Sequence, residues 1–357
     1  MSLTTPYALN RFRLLGRSGL RVSPLCLGTM TFGTEWGWGT KKDDAREIFD
    51  RYAERGGNFI DTANLYTNGT SETFLGEFLQ GQREQFVLAT KYTLNARAGD
   101  PNAGGNHRKN MMQSVEASLR RLQTDFIDLY WVHAWDQITP IEEVMRALDD
   151  LVRSGKVLYV GISDMPAWKV AQANTLASLR GWSPFIGLQI EYSLVERTVE
   201  RELVPMALDL GLGITPWSPL AGGILTGKYG PQHRKKADEK PAEGKMPSRI
   251  DFLQSKLTDQ TFATIDVVKA VAAETSRTTS QVALNWLLQK PGVTSIILGA
   301  RTLAQLDDNL GCLEFKLSAD QMRRLDEVSR IAPGFPMEFL NSPMVNQIVN
   351  GGVVIER

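Results

Sequence analysis

Phe126-Ile-Asp-Leu-Tyr-Trp-Val-His133 is a short, mostly apolar run that ends on a histidine. A helical stretch follows from Ile141 to Arg153 and stops at Ser154-Gly155, a good C-terminal signal. Val157 to Ser163 then repeats the apolar run. The order is strand, helix, strand. Both strands are nearly continuous in apolar residues instead of alternating with polar ones. Strands buried on both faces read that way, as in a parallel sheet.

The same unit recurs on either side. Upstream, strands are expected at Leu25–Gly28, Phe59–Asp61 and Phe86–Lys91, with helices at Asp43–Arg55, Glu72–Leu79 and Lys109–Leu122. Ala45, Ile48, Phe49 and Tyr52 share one face of the first helix. Downstream, strands fall at Phe185–Ile190, Gly213–Trp217 and Ser295–Leu298. Helices there are expected at Ala167–Ser178, Val199–Leu210, Phe262–Glu274, Ser280–Gln289 and Leu303–Leu310. Eight strands alternating with helices predict an α/β fold, a (β/α)8 TIM barrel forming one domain over residues 1–357. The alternative is an open doubly wound sheet, but no Gly-x-Gly-x-x-Gly follows an early strand.

Three segments stand outside the repeat. Phe12–Leu14 and Leu20–Val22 flank Gly16-Arg17-Ser18-Gly19 and read as a β-hairpin. The charged loop 228–257 is long enough to suggest a lid. A last helix, Gln321–Ile331, precedes a tail at 332–357 with Phe335, Phe339 and Met344, which either closes over the barrel mouth or packs on its side.

Composition narrows the function. Lys plus Arg equals Asp plus Glu at 40 each, so nothing argues for nucleic acid or a membrane surface. Two cysteines, Cys26 and Cys312, make neither a disulfide scaffold nor a thiolate zinc site, and three scattered histidines argue against a metal. Met1 to Asn10 does not read as a signal peptide, and no apolar window is long enough to span a bilayer. The expected setting is cytoplasmic, the expected partner a small molecule. Oligomeric state is not legible.

In such a barrel, chemistry sits where the strands end. The second strand ends on Asp61, with Tyr66 five residues on; the third ends on Lys91, the fourth on His133, the fifth on Ser163-Asp164, and the sixth runs to Gln189-Ile190-Glu191. Ionisable groups converging on one rim mark a functional site. A lysine ammonium beside a tyrosine favours the phenolate and lowers the phenol's pKa, Asp61 holds the lysine in place, and His133 orients a carbonyl oxygen. That set suits protonation of an oxygen that turns negative in the transition state. It lacks a Ser or Cys nucleophile with a paired base, and hydride attack on a carbonyl requires a cofactor. Met30, Trp36, Trp38 and Trp135, in loops after the first and fourth strands, suggest a flat apolar substrate pocket.

These residues resemble the aldo-keto reductases: Asp61-Thr62-Ala63-x-x-Tyr66, Lys91, His133-x-x-Asp136, Gly161-Ile162-Ser163, Gln189, Trp217-Ser218-Pro219-Leu220, Gly299-Ala300-Arg301 and Gln305 with Asn309. Ser154-Gly155-Lys156-Val157 and Ser163-Asp164-x-Pro166-Ala167-Trp168 look most like the aryl-alcohol dehydrogenase-like branch. The resemblance implies NADPH-dependent reduction of aldehydes or ketones to alcohols. By position, Tyr66 is the general acid, supported by Lys91, Asp61 and His133. It further implies that Gly28, Thr29 and Met30 lie beside the ribose and nicotinamide, that Ser163, Asp164 and Gln189 meet the carboxamide, and that Trp217 stacks on the ring. Ser218, Pro219, Leu220, Ala221 and Gly222, with Lys228, would follow the pyrophosphate, and Lys228 and Arg249 would clamp over the cofactor. Gly299, Arg301, Gln305, Asp308 and Asn309 would hold the adenosine end, and a guanidinium at Arg301 suits a 2′-phosphate. Met30, Trp36, Tyr66, His133 and Trp135 would face the substrate. Two other functions fit the same rim: a redox-sensing regulatory subunit that binds NADPH with slow turnover, and a lyase or isomerase without a cofactor.

Overall fold

A computed structural model of the chain describes residues 6–234, 251–351 and 353. A hairpin of β1 (Arg13–Leu14) and β2 (Arg21–Val22) precedes eight parallel strands. These are β3 (Leu25–Gly28), β4 (Phe59–Asp61), β5 (Val87–Tyr92), β6 (Ile127–Val132), β7 (Val157–Ser163), β8 (Phe185–Glu191), β9 (Gly213–Trp217) and β10 (Ile296–Gly299). They pair in chain order, and β10 returns to pair with β3. An Ile214–Val293 bridge brings the β9 and β10 segments together, so the sheet is a nearly closed (β/α)8 barrel.

Helices α1 (Lys42–Glu54), α2 (Thr70–Phe78), α3 (Arg108–Leu122), α4 (Ile141–Arg153), α5 (Ala167–Arg180) and α6 (Leu203–Leu210) each follow a strand. Then come α7 (Asp259–Thr275) and α8 (Thr279–Leu288) before β10, α9 (Leu303–Leu310) after it, and α10 (Ala319–Val328), which packs on α7.

Alternation along the strands sorts the side chains into two cores. Ile60, Leu88, Tyr130 and Ile162 face the helices. Cys26, Phe59, Val87, Ala89, Leu129, Trp131 and Ile297 face the barrel axis, where Leu15 and Val22 of the hairpin join them. Trp131 fills the middle: a Cβ on Gly161 would lie 2.3 Å from its ring. The hairpin therefore closes the N-terminal end of the barrel. Gly16 makes the fit, because its φ is +59° and a Cβ there would meet Ile186 O at 2.4 Å.

The structure departs from the sequence expectations in four places. The helix expected from Val199 begins at Leu203, after a separate 3-10 turn at Thr198–Glu200. Pro205 explains this: its missing N–H is harmless in a first turn and disruptive further in. The last helix is Ala319–Val328, not Gln321–Ile331. Tyr66, expected in a polar loop after the second strand, opens a 3-10 turn, Tyr66–Gly69. The tail holds two short helices, α11 (Met337–Leu340) and α12 (Pro343–Asn350), and leaves Phe335, Phe339 and Met344 exposed. No described helix is long and apolar enough to cross a membrane.

Candidate active site

The same alternation that builds the axial core carries on to the open end. In β4 the inward residues are Phe59 and Asp61; in β5 they are Val87, Ala89 and Lys91. His133 continues the inward series of Leu129 and Trp131 one residue past β6. Register brings Asp61 opposite both Gly28 and Ala89, and Ser163 opposite Gln189. Asp61, Lys91, His133, Ser163 and Gln189 thus meet on one rim.

Asp61 and Lys91 are buried and ion-paired. Lys91 Nζ donates to Asp61 Oδ1, to Thr62 O at 2.8 Å and to the Tyr66 hydroxyl at 3.1 Å. Gln189 Nε2 donates to Asp61 Oδ2 at 3.0 Å. The ammonium is therefore ringed by three oxygens. Burial alone would depress its pKa, but Asp61 and Tyr66 lift it to about 12. Burial raises Asp61 against the pull of Lys91. His133 lies edge-on to Tyr66, with ring centroids 5.9 Å apart. Burial, then Lys91, push its pKa down to about 3, so the imidazole is neutral.

One expectation is corrected here. Lys91 was expected to bring Tyr66 below the ordinary phenol value; burial outweighs that pull and the phenol is raised. Part of the reason is that Asp61, on the same ammonium, opposes Lys91 at Tyr66.

Backbone geometry marks the same rim. Nine described non-glycine residues have left-handed φ, and seven of them follow the C-terminal ends of barrel strands: Thr67, Asn68, Thr93, Gln137, Asp164, Ser218 and Ala221. Such conformations cost energy and gather where function fixes them. Like Thr93, Thr67 is a sharp case, since a β-branched residue seldom adopts positive φ, +47° here. Its hydroxyl donates to Phe32 O at 2.6 Å and accepts from Ser71 N at 3.2 Å. The turn that begins at Tyr66 is thereby stapled to the 29–40 loop, whose Trp36 ring stands 6.4 Å from Tyr66. Nothing in the sequence singles out Thr67.

Ser163 Oγ is buried and makes no well-formed hydrogen bond among the described residues. Gln189 commits one of its two amide N–H donors to Asp61, which leaves the other and its carbonyl oxygen for the carboxamide role expected of it. Asp164 accepts from Trp217 Nε1 at 3.1 Å, and burial, aided by the charge of Glu191, raises its carboxyl to about 6. Ser218 Oγ accepts from Gly222 N at 3.2 Å; Pro219 and Ala221 are buried and Leu220 half-buried. Lys228 lies over the Tyr229 ring. Arg301 is exposed, and its N–H donates to Gln305 Oε1 at 3.0 Å just before α9. Gly299 opens onto free space, and Asn309 is buried. Asp308 turns instead toward α8, accepting from Thr278 and Gln281. The Thr29 hydroxyl likewise faces inward, donating to Asp61 O and accepting from Ser71. Gly28 packs on Ile297, and Met30 is exposed. Trp36 packs on Trp38, and Trp135 on Trp168. Arg249, and with it most of the expected lid, lies outside the described residues.

The model of the Aldo/keto reductase family matches residues 24–330. The chain belongs to the aldo/keto reductase family. Among its relatives, the norsolorinic acid reductase stcV of Emericella nidulans is 40% identical over 346 residues, 94% of this chain and 86% of that one. The aryl-alcohol dehydrogenase [NADP(+)] of Phanerodontia chrysosporium is 38% identical over 347 residues, 93% and 89% of the two chains. A putative aryl-alcohol dehydrogenase of Saccharomyces cerevisiae is 34% identical over 354 residues, 94% and 91%. This aldo/keto reductase is therefore an oxidoreductase, and the Tyr66 rim is where its barrel gathers ionisable groups around a phenol.

Proposed function

We propose that this protein reduces aryl aldehydes or ketones to alcohols with NADPH, Tyr66 acting as general acid. The observation that carries the reading is the Lys91 ammonium, buried, held cationic by Asp61 and 3.1 Å from the Tyr66 hydroxyl. A phenol in that position can release its proton only as negative charge appears on a neighbouring oxygen, and the phenolate it leaves is met at once by a cation.

The residues present suit the cofactor. Ser163 Oγ is a buried hydroxyl beside Asp164 with no well-formed hydrogen bond among the described residues, a polar atom of the kind a carboxamide satisfies. Asp164 fixes the edge of the Trp217 indole, so its face is held as a platform. Arg301 offers an exposed guanidinium next to the N-terminus of α9, where anions are favoured. Ser163, Gln189, Trp217, Ser218, Arg301, Gln305 and Asn309 would hold it. When bound, NADPH supplies the hydride that adds to the carbonyl carbon. Tyr66 then protonates the oxygen. Neutral His133 offers that oxygen an N–H without competing as an acid. Asp61 keeps Lys91 in register, and the staple at Thr67 does the same for Tyr66.

The name of the Phanerodontia relative, an NADP(+) enzyme, supports the choice of cofactor. The test pairs binding with turnover. NADPH should quench tryptophan fluorescence in the wild type and in Tyr66→Phe alike, while Tyr66→Phe loses carbonyl reduction by about 100-fold or more. Arg301→Ala should narrow the preference for NADPH over NADH. Absence of quenching, or turnover in Tyr66→Phe within about threefold of wild type, refutes the reading.

A further inference from the structure

An aromatic patch with a cation inside it borders the candidate site. Trp135 follows His133 by two residues, and Trp168 is the second residue of α5, four after Asp164. The two segments are joined where Trp135 N donates to Asp164 O at 3.3 Å. The indoles meet edge to face, 5.8 Å apart, and Trp168 is 59% exposed. Lys169 Nζ stands over both rings, 5.1 Å from Trp168 and 5.7 Å from Trp135.

Lys169 differs from the described lysines that are ion-paired. Lys42, Lys91, Lys156, Lys256 and Lys290 each meet a carboxylate. Among the described residues Lys169 makes no ion pair; its one hydrogen bond goes to the neutral amide oxygen of Gln172 at 3.0 Å. An ammonium has three donors, so two remain. The carboxylates of the neighbouring rim are engaged elsewhere: Asp61 pairs with Lys91, Asp136 accepts from Asn106, Ile138 and Thr139, Asp164 accepts from Trp217, and Glu191 pairs with Lys256. Indole faces hold the cation in place by cation–π attraction without neutralising it.

We propose that Trp135, Trp168 and Lys169 form the far wall of the substrate site, and that the substrate is an aryl carbonyl bearing an anionic oxygen, a carboxylate or an acidic phenolate. The inference rests on the reductase reading of the Tyr66 rim. The ring of the substrate lies against the indoles and its anionic group meets Lys169. Two residues of chain span at most about 7 Å, so the wall begins within roughly one ring width of His133.

The test compares 4-formylbenzoate and 6-formyl-2-naphthoate with their methyl-substituted neutral analogues. The quantity read is the ratio of kcat/KM for charged over neutral substrate. Wild type should favour the charged compounds. Lys169→Gln should lower that ratio about fivefold, the scale of a partly exposed ion pair. Lys169→Glu should lower it further, and Lys169→Arg should keep it. Raising salt should narrow the wild-type ratio and leave that of Lys169→Gln in place. A ratio unchanged in both Lys169→Gln and Lys169→Glu overturns the proposal. Binding of 6-formyl-2-naphthoate, followed by tryptophan quenching, decides the matter without turnover. Weaker binding in Lys169→Glu supports the subsite even if no aldehyde is reduced and the reductase reading fails. Equal binding in the two proteins overturns it.

Discussion

Replacing Asp61 by Asn removes one charge from a pair that water cannot reach. Lys91 is fully buried and Asp61 nearly so. Breaking such a pair from one side strands the other charge and costs about 3–5 kcal/mol. An unfolding entropy of roughly 2.1 cal/mol/K per residue gives about 0.75 kcal/mol/K for 357 residues. The expected loss in Tm at pH 7 is therefore about 4–7 °C. Thr62 O and the Tyr66 hydroxyl still accept from Lys91, which places the loss toward the lower end.

The pH dependence separates this cause from a loss of packing. In the wild type Lys91 is raised from 10.5 to about 12. A raised lysine contributes its stability below 10.5 and loses it only as pH climbs through about 12. With Asn at position 61, burial dominates and the lysine pKa falls below its unfolded value. The unfolded chain then binds more protons than the folded one, so the variant gains stability as pH rises toward 10.5. Thermal melts of both proteins from about pH 7 to pH 10 should show the gap closing. Adding Lys91→Met to Asp61→Asn, which removes the stranded charge, should recover at least about half of the loss. A deficit that stays constant across that range, or a double variant no better than the single, refutes the stranded-charge account.

Three further outcomes are expected. Asp164 titrates near 6, so wild-type tryptophan fluorescence should inflect there through Trp217, and Asp164→Asn should abolish the step. Because that carboxyl is raised, the wild type should lose stability relative to Asp164→Asn as pH rises from 3.8 to about 6. His133 is held near 3, so a kcat/KM profile should show no histidine step near 6.5; such a step that vanished in His133→Gln would mean the ring is not buried neutral. Thr67→Val keeps the shape and removes the hydroxyl that donates to Phe32 O and accepts from Ser71 N. It should cost about 1–3 kcal/mol and lower kcat, with Thr67→Ser restoring both.

Much of the fold was legible because parallel strands buried on both faces leave short apolar runs that helices cannot imitate at that length. Strand ends then located the rim, and a period of two placed Phe59 with Asp61, and Val87 and Ala89 with Lys91, on one inward face. What escaped was set by packing. Three consecutive left-handed residues, Thr67 to Gly69, include two that are not glycine, and no composition rule anticipates a threonine there. The placement of Lys169 over two indoles depends on the approach of the loop after β6 to the first turn of α5, which are 34 residues apart at Trp135 and Lys169. Pro205 was in plain view, and its meaning changed only with the helix start.

The Tyr66 proton is where burial matters most. The sequence shows a lysine within reach of a phenol and invites the conclusion that the phenol is acidified at rest. Depth reverses the sign, because desolvation penalises the phenolate more than Lys91, already answered by Asp61, rewards it. A raised value suits an acid better than a lowered one. An acid must carry its proton at working pH, and Tyr66 does so without exception across the neutral range. The acidity is needed only when a neighbouring oxygen becomes negative. At that point the Lys91 ammonium, fixed 3.1 Å away by Asp61 and Thr62, stabilises the phenolate with no reorganisation left to make. In the proposed mechanism Asp61 would serve the reaction by keeping the cation in place and charged, so its loss should slow the proton transfer even at temperatures where the fold survives.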